Sequence, residues 1–205
     1  MRINLPNQIT LGRLVLAIIF FVCLAQYDAR AIVPSSGLLD WCTALFLVAA
    51  LSDVVDGYLA RRWNEVTSFG RVIDPFVDKI LVIGGYVFLA GEGFVDPGGE
   101  MVSGVSGWMV VVILGRELLV TSLRGVTEAG GKAFGANLHG KAKMFLQSFT
   151  IVWILVTVAH PHGSPMLVQA RPFVIYLMIA VTLLSGVSYV WAAKGVLSQT
   201  SVPTS

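Results

Sequence analysis

The chain has 205 residues and a formal net charge of +2; 56% of its residues are hydrophobic, only 13% are charged, and the mean hydropathy is +0.79. Soluble domains carry about 25% charged residues, so the composition excludes a cytosolic or secreted globule and implies an all-α, polytopic membrane protein. The small net charge does not argue for nucleic acid, and the length fits one membrane domain, 1–197, with a disordered tail, 198–205, and no second soluble domain.

A helix that crosses a bilayer needs about 20 largely apolar residues, and helices are the default because backbone polar groups cannot go unpaired in lipid. The first candidate runs over about 8–27. Its run LVLAIIFFVCLA after Arg2 and Arg13, with Ala25 as a cleavage site, also passes for a signal peptide. Asn7, Thr10 and Arg13 have a better use: their spacing of i, i+3, i+6 puts all three on one helix face. An N-cap with an interfacial arginine is the simpler alternative. Further candidates run over about 39–61, 71–90, 105–124, 141–159 and 172–193, making six spans. Residues 94–107 read as a loop from their Pro-Gly-Gly and Ser/Gly content, as does HPHGSP at 160–165. Cys23 and Cys42 lie in apolar runs and read as buried thiols. No inverted or tandem repeat is visible.

Charge sets the orientation. With the N-terminus in the cytosol, Arg2, Arg13, Arg61, Arg62, Arg71, Lys79, Arg116, Arg124, Lys132, Lys141, Lys143 and Lys194 fall at or toward the cytosolic side. Arg30 and Arg171 face outward, and the loop after the third span carries Glu92, Asp96 and Glu100. This is a positive-inside pattern with both termini cytosolic. The basic segment RGVTEAGGKAFGANLHGKAKM reads equally as a solvated, topology-setting loop and as an anion site.

The stretch SDVVDGYLARRWNEVTSFGRVIDPFVDK, 52–79, carries the chemistry. Asp53 and Asp56 are spaced i, i+3, and Asp74 and Asp78 are spaced i, i+4, so each pair shares a helix face. A short turn between antiparallel helices brings both pairs to one level near the cytosolic surface. Carboxylates at membrane depth are costly and mostly functional. Without His or Cys nearby, a divalent cation such as Mg²⁺ or Mn²⁺, or a pair of them, is the simplest way to hold four together. Such a pair suits displacement at phosphorus. Gly57 and Ala60 let a bulky ligand approach the backbone, and Arg61 can fork onto a phosphate. The bland alternative pairs the aspartates with Arg61, Arg62, Arg71 and Lys79 as topology-setting ion pairs.

The pattern Asp53-x2-Asp56-Gly57-x2-Ala60-Arg61-x8-Gly70-x3-Asp74-x3-Asp78 resembles the full signature of the CDP-alcohol phosphotransferase family, integral membrane enzymes of phospholipid synthesis. The resemblance implies that Asp53, Asp56, Asp74 and Asp78 bind metal, that Asp78 also serves as general base, and that Gly57, Ala60, Arg61 and Gly70 line the cytidine diphosphate site. It implies attack by an alcohol on the lipid-linked phosphate of a CDP-lipid, with release of CMP. It also implies a homodimer, and a bacterial inner membrane suits the compact build.

The opening LPNQITLGRLVLA and the segment ILGRELLVTSLRGVTEAGGK resemble the branch of that family whose donor is CDP-diacylglycerol and whose acceptor is sn-glycerol 3-phosphate. By that resemblance Asn7 and Thr10 join the CDP-lipid site. Arg116 and Lys141, then Arg124, Lys143 and Arg13, would take the acceptor phosphate, which needs cations. Glu117 as a neutraliser of Arg116, and Lys143 as an interfacial anchor, are the alternatives. His139 is assigned no role. Phosphatidylglycerol, inositol phosphate and serine are other acceptors within the family. Outside it, intramembrane carboxylates also mark cation transporters, and paired aspartates with Mg²⁺ also mark polyprenyl transferases.

Overall fold

The computed structural model describes the backbone of residues 5–32, 35–63, 68–129 and 138–197, and the side chains of 10–32, 35–52, 76–127 and 142–192. The tail 198–205 and parts of the two basic connections lie outside the described residues. The described chain is all-α: α1 (Leu5–Ala25), α2 (Ser36–Trp63), α3 (Ser68–Leu89), α4 (Gly107–Ala129), α5 (Leu138–Ala159) and α6 (Pro165–Leu197), with one 3-10 turn at Glu92–Phe94. The number and order of helices match the expectation from hydropathy. The loop expected at 94–107 contains a single isolated antiparallel bridge, Val95 to Met101.

The largest boundary difference is at the last helix, expected over about 172–193. It begins at Pro165 instead, and Pro172 lies inside it. A proline in the first helical turn loses no bond, because those N–H groups have no intrahelical acceptor. The Ser164 carbonyl starts the ladder by accepting from the N–H groups of Leu167 (3.0 Å) and Val168 (3.3 Å).

The helices form a bundle in which α1 packs on α2 and α3, α5 on α2 and α6, and α4 on α6. The buried core runs through Phe20, Phe46, Tyr86, Leu89, Ile113, Ile151, Leu155 and Met178. The outside is apolar too: Trp41, Val111, Phe145, Leu184 and Trp191 are among many large exposed hydrophobic side chains. A water-facing monomer rarely shows contiguous apolar surface of that kind; a body facing lipid does. Within α5 and α6, Ala142–Ala159 and Pro165–Ala192 are long and apolar enough to cross a membrane, and α1 and α2 hold shorter apolar runs.

Two glycines permit close approaches. A Cβ at Gly84 would lie 2.4 Å from the ring of Phe21, so its absence lets α3 pack tightly on α1. Gly93 passes directly over the chain leaving α1: a Cβ there would lie 2.5 Å from the Tyr27 carbonyl oxygen, while the Gly93 carbonyl accepts the Ala29 N–H at 2.8 Å. Backbone cannot swing aside as a ring can. Gly93→Ala is therefore expected to cost about 1–3 kcal/mol, the usual range for overpacking, read as an earlier midpoint in denaturant titration of the detergent-solubilised protein. Gly84→Ala should cost less, because the Phe21 ring can yield.

Candidate active site

The signature residues lie on two consecutive helices: Asp53, Asp56, Gly57, Ala60 and Arg61 fall in α2, and Gly70, Asp74 and Asp78 fall in α3. Of these, only Asp78 has a described side chain, and the same holds for neither Asn7 on α1 nor Lys141 on α5. Whether the four carboxylates converge is thus a matter outside the described residues, and among the described ones no three potential metal ligands gather.

Asp78 links the signature to the N-terminal helix. Its Oδ1 accepts from Nη1 of Arg13 at 2.6 Å. Arg13 is 1% exposed, whereas the Asp78 side chain remains 24% exposed and lines a cavity of about 230 Å³. A buried guanidinium needs a counter-charge, and the pairing draws α1 to α3. Thr10, one turn before Arg13, is buried as well. The Thr10 and Arg13 part of the polar face expected on α1 is therefore turned inward, and its arginine reaches the signature.

The cavity is built from three helices: Asp78, Lys79, Val82 and Ile83 of α3, Glu117 of α4, and Lys143, Met144 and Gln147 of α5. Glu117 is its electrostatic hinge. Its Oε1 accepts from Nζ of Lys143 in a short contact and from Nη1 of Arg116 at 2.9 Å. All three side chains are nearly buried, at 6% exposure for Lys143, 8% for Arg116 and 11% for Glu117. Lys79 donates to the Thr121 hydroxyl at 2.5 Å, and that hydroxyl donates to the Glu117 carbonyl at 2.7 Å. Among the described residues the cavity wall thus carries two lysines, Lys79 and Lys143, and two carboxylates, Asp78 and Glu117, each carboxylate also paired with an arginine behind the wall, Arg13 and Arg116.

The expected acceptor residues divide. Lys143 faces the cavity. Arg116 does not line it: its Nη2 donates to the Ser185 hydroxyl of α6 at 2.6 Å, and its guanidinium lies 5.3 Å from the Tyr189 ring centroid. Arg116 thus fastens α4 to α6 and touches the cavity through Glu117. Arg124 is half-buried, and its Nε has no hydrogen-bond partner among the described residues. Lys79, Thr121 and Gln147 were not singled out from sequence. Gln147 is buried and binds the Thr182 hydroxyl at 3.2 Å, while its carbonyl accepts from Tyr86 at 2.8 Å. Polar residues on the inward stripe of α5 were the available signal.

A second, mostly apolar groove of about 570 Å³ runs between α3 and α4, past Phe76, Ile80, Leu114 and Leu118. It shares Lys79, Ile83 and Glu117 with the charged cavity, so the two adjoin across those side chains.

The family model of CDP-alcohol phosphatidyltransferases matches residues 3–191. Among curated relatives, the CDP-diacylglycerol–glycerol-3-phosphate 3-phosphatidyltransferase of Bacillus subtilis (strain 168) is 34% identical over 196 residues, covering 91% of this chain and 93% of its own. The like-named proteins of Rickettsia felis (32%, over 93% and 96%) and Salmonella choleraesuis (30%, over 95% and 97%) align equally fully. With this match along almost its whole length, the chain belongs to the CDP-alcohol phosphatidyltransferase family.

Removing Glu117 would leave Arg116 and Lys143 buried without a counter-charge. Glu117→Ala is expected to lose about 3–5 kcal/mol of stability, the usual result of breaking a buried ion pair from one side. The double variant Glu117→Ala with Lys143→Met should regain part of that loss in the same denaturant titration, giving a coupling energy well away from zero.

Proposed function

We propose that the protein transfers the phosphatidyl group of CDP-diacylglycerol to sn-glycerol 3-phosphate, giving phosphatidylglycerol phosphate and CMP. The observation that carries this is a charged cavity at Asp78, walled in part by Lys79 and Lys143, that shares wall residues with an apolar groove, in a chain aligned over more than nine-tenths of its length with relatives named for that reaction. A lipid donor with a charged head needs both environments side by side, and an acceptor that carries phosphate needs cations.

In this reading Lys143 and Lys79 face the acceptor phosphate. Arg116 acts through Glu117, which holds the Lys143 ammonium in place, and Lys141 and Arg124 add positive charge toward the cytosolic end. The acceptor hydroxyl attacks the lipid-linked phosphorus, the bond to the bridging pyrophosphate oxygen breaks, and CMP leaves. Asp78 stands at the cavity wall to receive the hydroxyl proton. Its Arg13 partner holds the carboxylate in place at that wall. Asn7, Thr10, Gly57, Ala60, Arg61 and Gly70 belong to the CDP-lipid side.

The donor set fits a divalent cation by its chemistry: oxygen ligands only, with the Asp78 carboxylate open to the cavity. Asp53, Asp56, Asp74 and Asp78 would hold one or two Mg²⁺ or Mn²⁺ ions, which when bound neutralise charge on the transferring phosphate. In the membrane, six spans with both termini in the cytosol would set this site at the inner leaflet of a bacterial inner membrane, and the enzyme would work as a homodimer.

Purified protein should release CMP from CDP-diacylglycerol only when a divalent metal and an acceptor are supplied. A panel of glycerol 3-phosphate, inositol phosphate, serine and phosphatidylglycerol, with products identified by mass, tests the acceptor; a product from any of the other three alone would replace glycerol 3-phosphate. Asp53→Asn, Asp56→Asn and Asp74→Asn should each lower turnover about 100-fold or more, the rate equivalent of losing a few kcal/mol at the metal. Lys143→Gln should raise KM for glycerol 3-phosphate more than KM for the CDP-lipid; equal rises would remove Lys143 from the acceptor site.

A further inference from the structure

A separate cavity of about 560 Å³ lies at the other end of the bundle, walled by the connection after α1, the start of α2, the connection before α4, and the facing ends of α5 and α6. From Lys143 to Ala159, which lines this second cavity, α5 rises about 24 Å at 1.5 Å per residue. That is close to the thickness of a bilayer's hydrocarbon core, about 30 Å. With the active site at one membrane surface, this cavity opens near the other. The inference therefore rests on the membrane placement proposed above.

Its wall carries charges of both signs. Arg171 lines it from the second turn of α6, and Asp96 and Glu100 line it from the connection. Arg171 makes no hydrogen bond or ion pair among the described residues, although two carboxylates share its cavity. Each carboxylate oxygen therefore stands beyond ion-pair distance from the guanidinium. Asp96 Oδ1 accepts the Glu100 N–H at 2.8 Å, which closes the turn and holds both acidic residues on the rim. The remaining wall is largely apolar, with Leu39, Val158 and Val168.

Separated opposite charges beside an apolar wall select a dipolar ligand with a hydrocarbon part. A simple anion meets two carboxylates, and a simple cation meets the guanidinium. We propose that this cavity is a non-catalytic binding site for a zwitterionic aminophospholipid, with Arg171 holding the headgroup phosphate and Glu100 with Asp96 holding the ammonium. A guanidinium forks onto phosphate oxygens, and its desolvation is offset once it is paired. Such a lipid would bridge α6 to the connection before α4 and stitch the outer ends of the helices together.

The test is native mass spectrometry of the full-length protein released from bilayers of equal phosphatidylethanolamine and phosphatidylglycerol, with CDP-lipid turnover measured on the same preparations. The wild type should retain phosphatidylethanolamine in preference to phosphatidylglycerol. Arg171→Gln should lower that retention about tenfold, equivalent to one lost charge-assisted contact, and Arg171→Lys should keep most of it. Glu100→Gln should abolish the preference between the two lipids. Turnover should persist in all three variants, which shows that they are folded. Equal retention of both lipids by the wild type, or wild-type retention by Arg171→Gln, would overturn the site. Displacement of the lipid by millimolar phosphoethanolamine would overturn the lipid as occupant in favour of the free headgroup. Absence of turnover in the wild type would instead fell the proposed reaction and leave the headgroup result standing.

Discussion

Glu117 is a nearly buried carboxylate between two nearly buried cations, one its neighbour on α4 and the other from α5. Each of those charges would be costly alone in an apolar bundle; together they form a unit that is tolerable only when complete. The arrangement has consequences on both sides. Behind it, Arg116 reaches Ser185 and Tyr189 and ties α4 to α6. In front of it, Lys143 is aimed at the cavity that Asp78 also lines. Packing of α4, α5 and α6 and the positive end of the active site thus depend on the same carboxylate.

Arg13 and Asp78 repeat the logic on the other side of α3. An arginine buried at 1% exposure draws its counter-charge from Asp78 of the signature, so the first helix is held to the third through a signature residue. The two ion-paired units meet at one cavity, whose described wall also carries Lys79 and Lys143. In the proposed reaction those lysines suit a phosphate-bearing acceptor, and the apolar groove between α3 and α4 suits lipid chains. Catalysis by position and charge, with little covalent chemistry from the protein, fits such a site.

Much was legible from sequence because the signals were local. Six apolar runs of spanning length announce six helices, and the aspartate spacings over 53–78 are the family signature. Thr10 and Arg13 stand on one helix face because 3.6 residues make a turn, and both are buried. The start of the last helix was misplaced because Pro172 looked like a boundary, while the first-turn position of Pro165 offered a start that costs no hydrogen bond.

The division between Arg116 and Lys143 was not legible. Both are basic residues near apolar runs, and spacing cannot say which way a side chain turns. Arg116 meets a serine 69 residues further along the chain, and Lys143 meets a glutamate 26 residues earlier. Lys79, Thr121 and Gln147 entered the site for the same reason, through contacts between helices distant in sequence. The sequence by itself determined the class of the protein, its helices and its chemical signature, since hydropathy and motif spacing act within a turn or two. Only the tertiary structure decided which cations face the cavity and which brace the bundle, because that choice is made by how α3, α4, α5 and α6 pack and by where a buried charge can find its partner.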